Sequence, residues 1–216
     1  LDYTALYLTL KLALVTTAAL MILAAPVAYM LAFSAFPGKS FVEALIYLPT
    51  ALPPTVIGFY LVIMMGPKGA IGSAWSKFSG NGLLFTFAGI IIASVVYSIP
   101  FAVQPMKAAF QKLDRRLLEN AYVLGLTKKA AFFRVIIPNS ISGIAASAIL
   151  VFLHSIGAFG VLMMVGGSIH GETRVASIAI YEAVESMDYH KAGMISLGFI
   201  PISYIFLLVV NRLNKD

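Results

Sequence analysis

The chain has no cysteine, which excludes disulfides, thiolate metal sites and a cysteine nucleophile. Charge is almost as scarce, at 11% of residues against roughly 25% in a soluble domain. Acids are the scarcer sign, with 9 Asp and Glu against 15 Lys and Arg, and none lies inside the long apolar runs. A membrane-embedded enzyme needs clustered acids, histidines or metal ligands at depth, and a proton-coupled secondary transporter needs intramembrane carboxylates; neither class is supported. The phosphate-binding pattern G-x-x-x-x-G-K-[ST] is missing, so ATP hydrolysis does not reside in this chain. There is no internal repeat, no low-complexity tract and no basic stripe with interleaved aromatics, which argues against nucleic acid as a partner.

What fills the sequence instead is apolar surface, with 60% hydrophobic residues. Uncharged runs occupy 12–38, 44–67, 78–106, 135–171 and 192–211, and a helical crossing of a bilayer needs ~20 residues. Without strict alternation such runs favour helices over barrel strands, because in lipid each segment must satisfy its own backbone. The chain therefore reads as an all-α polytopic membrane protein, one transmembrane domain over 1–216, with about five crossings near 5–35, 42–66, 83–106, 137–159 and 192–212. Residue 1 is Leu, and the count refers to these residues alone. The run 135–171 is longer than one crossing and shorter than two plus a turn, so one helix ending near Phe159 and an exposed tail are expected. The third crossing is expected to stop at Pro100 and Pro105.

Loop charge orients the bundle. Lys39, Lys107, Lys112, Arg115, Arg116, Lys128, Lys129, Arg134, Arg212 and Lys215 fall on one side; Lys11, Lys68, Lys77, Arg174 and Lys191 fall on the other. Cytoplasmic loops are the basic ones, which places the C-terminus inside and the N-terminus outside. A short amphipathic piece around Trp75 and an external helix over 175–188, within a loop spanning about 166–191, complete the outer side. In the second crossing Pro49, Pro53 and Pro54 interrupt the helix. Irregular backbone at membrane depth belongs beside a cavity, so Thr50, Pro53, Pro54 and Thr55, together with Ser98 of the third crossing, are candidates for a translocation path. His154 lies within the fourth crossing, either as a neutral ring bonded to a neighbouring helix, the reading favoured, or as a proton relay. His170 and His190 lack a compact metal-ligand spacing.

The densest charge lies at 107–138. Asp114 is placed to cap a helix starting at Arg115, Gly125 to end it, and Thr127 to cap a second helix starting at Lys128. Leu117, Ala121 and Leu124 recur at i, i+4, i+7 on one side. By spacing alone they either enter a partner's groove or cover the ends of the bundle.

Glu119-x-Ala121-x-x-x-Gly125, followed after nine residues by Val135-Ile136-Ile137-Pro138, resembles the EAA motif of permease subunits of ABC importers. Asn120, Val135 and Ile137 depart mildly from it. The resemblance implies a type I importer permease fold in the cytoplasmic membrane of a prokaryote. It also implies a homodimer with two ATP-binding cassette subunits that hold ATP and Mg²⁺, this chain binding no cofactor itself. A coupling element over about 107–136 would dock on the ATPase through Glu119, Ala121, Leu124, Gly125 and Thr127. Phe36-Pro37-Gly38-Lys39, Leu48-Pro49-x-x-Leu52-Pro53-Pro54-x-Val56-x-Gly58 and Gly171-Glu172-Thr173-Arg174 are similar to molybdate permeases, relatives of tungstate and sulfate permeases. Gly157-Ala158-Phe159-Gly160 resembles that group's Gly-Glu-Phe-Gly, with Ala158 in place of Glu. An external substrate-binding protein is implied too, with Glu172, Thr173 and Arg174 as candidate contacts; an alternative for those residues is a salt link at a helix start.

Overall fold

A computed structural model describes residues 2–213; Lys215, counted above for orientation, lies outside them. The chain begins with helix α1, Tyr3–Phe33. Asp2 caps it by accepting the Ala5 N–H at 3.1 Å. One face of α1, from Leu8 and Leu12 through Leu20, Ala24 and Ala28 to Leu31, is wholly enclosed. The small residues on that stripe let α1 lie close against α5, Phe87–Gln111, and α9, Ile141–Gly157, and these three helices form the centre of the bundle.

The second apolar run forms two helices, α2, Lys39–Ala51, and α3, Pro54–Met65, bent by 113° at their junction. A residue before proline is driven out of the helical region. Leu52 precedes Pro53 and Pro53 precedes Pro54, and both are extended, with ψ of 144° and 138°. Pro54 then opens α3, where its missing N–H costs nothing. Pro53 and Pro54 make the expected interruption, whereas Pro49, also expected to interrupt the helix, lies inside α2. Helix α4, Ala70–Ser79, carries Trp75.

Helix α5 corrects a second expectation, since it runs through Pro100 and Pro105 to Gln111. An interior proline costs ~3 kcal/mol. Here Ala93, Ala102, Val103, Met106 and Phe110 are buried along the same helix, and that packing outweighs the loss of two backbone donors.

Beyond α5 come α6, Arg115–Val123, α7, Lys128–Ala131, a π-helical turn Phe132–Ile136 and α8, Ile137–Asn139. In the π turn the Ile137 N–H donates to the Phe132 carbonyl. The wider turn accommodates the ring of Pro138, which in a regular helix would meet the carbonyl four residues back. The segment Lys128–Asn139 then meets α9 at a bend of 76°.

The exposed tail expected after Phe159 is instead helix α10, Gly160–Gly166, whose Val161, Leu162 and Val165 are enclosed. It packs on α3 and α5. Gly58 makes this approach possible, because a Cβ there would come within 2.8 Å of the Met164 Cβ. Helix α11, Ala176–Glu185, buries Ile178 and Ala179 together with Val175 ahead of it. Helix α12, Tyr189–Leu213, closes the chain. Among the described residues, α1 and α5 are each long and apolar enough to cross a membrane alone, and the two bent pairs reach that standard only as pairs.

Candidate functional site

Helices α6 and α7 form a hairpin at the end of the bundle where α1 and α5 terminate. Asp114 Oδ1 accepts the Arg116 N–H at 3.0 Å, and Thr127 Oγ1 accepts the Ala130 N–H at 3.3 Å. The turn between them is a Schellman closure: Leu126 N–H donates to the Ala121 carbonyl and Gly125 N–H to the Tyr122 carbonyl, each at 3.0 Å. Gly125 has φ of +83° and nothing within 4 Å of where a Cβ would stand. Backbone conformation, rather than space, is what reserves this position for glycine.

The hairpin is anchored from below. Leu118, Ala131 and Ile136 join Phe110 and Met106 in one apolar cluster, and the Phe132 ring stands edge-on to Tyr29 and Phe110 at centroid distances of 5.3 and 6.3 Å. Ala121 is buried as well, so it does not share an exposed side with Leu117 and Leu124. It lies about 40° around the helix from Leu117, toward Leu118, at 100° per residue. The outward apolar surface is Leu117, Val123 and Leu124, the last two 86% and 79% exposed. Glu119 lines a cavity of about 310 Å³, shared with Tyr29 of α1, Ser34 just after it, Arg115, Tyr122 and Lys128. Val123 is not part of the i, i+4, i+7 pattern; the signal for it was a Val-Leu pair next to a turn glycine in a polar stretch.

A second cavity, of about 500 Å³, lies where two helices are interrupted. Pro54 and Thr55 at the start of α3 face Gly157 to Gly160, between α9 and α10, with Tyr97 and His154 between them. Of the path candidates, Pro54 and Thr55 are brought to this cavity, whereas Thr50, Pro53 and Ser98 are not. Thr50 turns its hydroxyl to its own helix, donating to the Tyr47 carbonyl at 2.7 Å. Ser98 is fully enclosed, its hydroxyl with no hydrogen-bond partner among the described residues. His154 makes no hydrogen bond to a neighbouring helix through Nε2, contrary to the favoured reading. It is held by rings instead, stacked on Phe101 at 4.0 Å and beside Tyr97 at 4.5 Å. Ala158 is buried and its carbonyl accepts the Ser177 hydroxyl at 2.7 Å.

At the opposite end of the bundle Arg174 joins three segments. Its Nη1 meets Asp2 Oδ2 at 2.5 Å and its Nε meets Glu182 Oε2 at 2.6 Å. Ser168 donates to the other oxygen of Glu182. The salt link expected between Glu172 and Arg174 is thus replaced by pairs to Asp2 and Glu182, which nothing in the local spacing announces. Thr173 is corrected as a surface contact: it is wholly buried, donating to the Gly166 carbonyl at 2.7 Å and accepting the Ile169 N–H at 3.0 Å. Glu172 is exposed. Burial pushes the Asp2 carboxyl up, but the Ala5 N–H and Arg174 outweigh it and hold it below its ordinary value. Glu182 is likewise raised by burial and brought below its ordinary value by Ser168 and Arg174. Among the described residues no cluster of His, Asp and Glu suits a metal ion.

Comparison with known proteins bears on what these sites serve. The chain is 42% identical to the molybdenum transport system permease protein ModB of Azotobacter vinelandii over 210 residues, covering 97% of this chain and 92% of the relative. It is 31% identical to the sulfate transport system permease protein CysT of Synechocystis, covering 88% of this chain and 66% of that one. A solved bacterial ABC transporter for import of the acidic polysaccharide alginate shares the fold, with a TM-score of 0.77 at 18% identity, over 99% of this chain and 78% of the other. Residues 24–216 match the family described as the binding-protein-dependent transport system inner membrane component, and with nearly the whole sequence matched, the chain belongs to that family of transporter membrane subunits.

Proposed function

We propose that this chain is the membrane-spanning subunit of an ATP-driven importer that carries molybdate across the inner membrane of a prokaryote by alternating access. Two copies work with two separate ATPase subunits, which hold ATP and Mg²⁺, and with an external binding protein that delivers the anion. The observation that carries the cargo is the 42% identity, over nearly all of both chains, to a molybdenum permease. Sulfate is the second reading, favoured by the 31% identity to a sulfate permease.

The coupling role rests on the α6–α7 hairpin. Its exposed Leu117, Val123 and Leu124 stand among basic residues, and apolar anchors with a charged rim suit docking in a groove. The basic loop charges support a reading with this end in the cytoplasm and the Arg174 end outside. Nucleotide-driven closure of the ATPases would then pull on α6, and rigid-body rocking of the bundle would open the cavity beside Pro54 and Thr55 to alternate sides.

The test is import into proteoliposomes. The chain is co-expressed with a candidate ATPase subunit and binding protein, and uptake of molybdate, tungstate and sulfate is measured with and without ATP. ATP-dependent uptake with molybdate preferred is the expected result. Preference for sulfate would move the cargo to the second reading, and failure to co-purify with an ATPase would overturn the function.

A further inference from the structure

The cavity of about 500 Å³ between the start of α3 and the α9–α10 break contains a group that the packing alone does not account for. His154 sits one turn before Gly157, with its ring stacked on Phe101 and tilted against Tyr97. Its Nε2 is buried without a hydrogen-bond partner among the described residues. Leaving a buried polar atom unmade costs roughly 1–3 kcal/mol, and a phenylalanine would stack on the same two rings without that cost. An intramembrane ionisable side chain that faces a cavity is a functional group by default. Thr16, Ser98 and Ser140 also have enclosed hydroxyls without partners, but none of them lines this cavity.

Ring geometry restricts what His154 can do. Stacked on Phe101 and tilted by 43° against Tyr97, the imidazole has two settings related by a half-turn about Cβ–Cγ, which preserve the stack and exchange Nε2 with Cε1. A neutral imidazole carries one N–H donor, so either setting presents a donor or an acceptor at a chosen edge. The cavity is lined by no Lys, Arg, Asp or Glu; its side-chain donors are the hydroxyls of Thr55 and Tyr97 and the imidazole. Such a set suits an anion in passage. Donors without a full positive charge stabilise it through hydrogen bonds strengthened by the anion's own charge, yet leave it free to depart, as conduction requires.

We propose that His154 is a contact for the transported tetrahedral oxyanion, donating its N–H in this cavity beside the Thr55 and Tyr97 hydroxyls. This rests on the oxyanion-importer reading above.

Two substitutions separate anion contact from ring packing. H154F keeps the stack and removes the donor, whereas H154Q keeps a donor and removes the ring. In the assembled transporter, with molybdate delivered by the binding protein, H154F should import at least about tenfold more slowly than the parent, the loss expected for one charge-assisted hydrogen bond. H154Q should stay within about threefold of the parent. Both should co-purify with the ATPase at parental yield. Parental import by H154F, or import by H154Q as low as by H154F, overturns the proposal. Should H154F fail to assemble, H154C decides, because the chain has no other cysteine. An anionic thiosulfonate should modify H154C in the complex, and molybdate-loaded binding protein with ATP should slow the modification. No modification in any nucleotide state, or a rate indifferent to cargo, overturns it. If the parental assembly imports none of the three oxyanions, the importer reading itself falls and this inference with it.

Discussion

The two ends of the bundle treat polar groups in opposite ways. Where α1 begins, Arg174 is divided between Asp2 and Glu182, Glu182 also takes the Ser168 hydroxyl, and Thr173 is enclosed with both of its hydrogen bonds made. This knot ties the start of α1, the loop after α10 and α11 together without help from another molecule. Where α1 and α5 end, Lys107 pairs with Glu43 at 2.7 Å. Arg115, Arg116, Lys128 and Lys129 of the hairpin make no ion pair among the described residues, and Val123 and Leu124 stand out into solvent. A polar cluster that is complete within the chain holds the fold. One that is left open, with apolar residues at its tip, is shaped for a partner.

Arg174→Met should have the largest effect on stability. It leaves Asp2 and Glu182 without their shared cation, and the cost is about 2–3 kcal/mol, below the ~3–5 of a fully buried pair because these side chains are partly solvated. Thermal unfolding in detergent should show the loss, and binding to the ATPase should not change in the surviving fraction. An unaltered melting temperature would mean that the knot is ornamental. Leu124→Glu should do the reverse, leaving stability within about 0.5 kcal/mol while weakening co-purification with the ATPase at least about tenfold, as for a truncated interface anchor. Undiminished association would break the contrast between the two ends.

Gly125→Val sharpens it more gently. A β-branched residue forced to φ of +83° costs ~1–2 kcal/mol. Because nothing lies within 4 Å of the site, that strain should be confined to the turn. Import should fall while membrane insertion and the yield of folded protein hold. Parental import would show that the shape of the turn is irrelevant to coupling.

The hairpin was the most legible part of the fold, because caps and turn glycines act over three or four residues and can be read locally: Asp114, Gly125 and Thr127 all occupy the cap and turn positions their types suggest. The tandem prolines at 53 and 54 were legible for the same reason. What local reading missed is set by packing between distant segments. Pro100 and Pro105 suggested a helix end, yet buried neighbours carry α5 through them. The length of the run 135–171 suggested an exposed tail after Phe159, yet Val161, Leu162 and Val165 supply the core with α10. Arg174 reaches Asp2 across almost the whole chain, and the cavity at His154 exists only once α3, α5 and α9 are assembled.

The smallest effect expected is that of acid on the knot. Asp2 and Glu182 both have carboxyls held below their ordinary values of 3.8 and 4.5. A depressed folded pKa means that the native state releases protons more readily than the unfolded chain, so the stabilisation is complete above the unfolded values and fades as pH falls through the folded ones. Parental stability should therefore be flat with respect to these groups above about pH 5. Decline should begin below 4.5, where Glu182 first takes up protons in the unfolded chain, and continue below 3.8 with Asp2. Burial pushes Arg174 down, but its bonds to Glu182 and Asp2 outweigh it and raise the guanidinium above its ordinary value, so it stays charged throughout this window. In R174M the burial that pushes both carboxyls up is opposed only by what remains, chiefly the Ala5 N–H at Asp2 and the Ser168 hydroxyl at Glu182, so the acid slope should flatten. Melting temperatures of the parent and R174M measured from pH 6 to pH 3 decide it: parallel falls would place the acid sensitivity elsewhere in the molecule and remove the knot's claim to be self-sufficient.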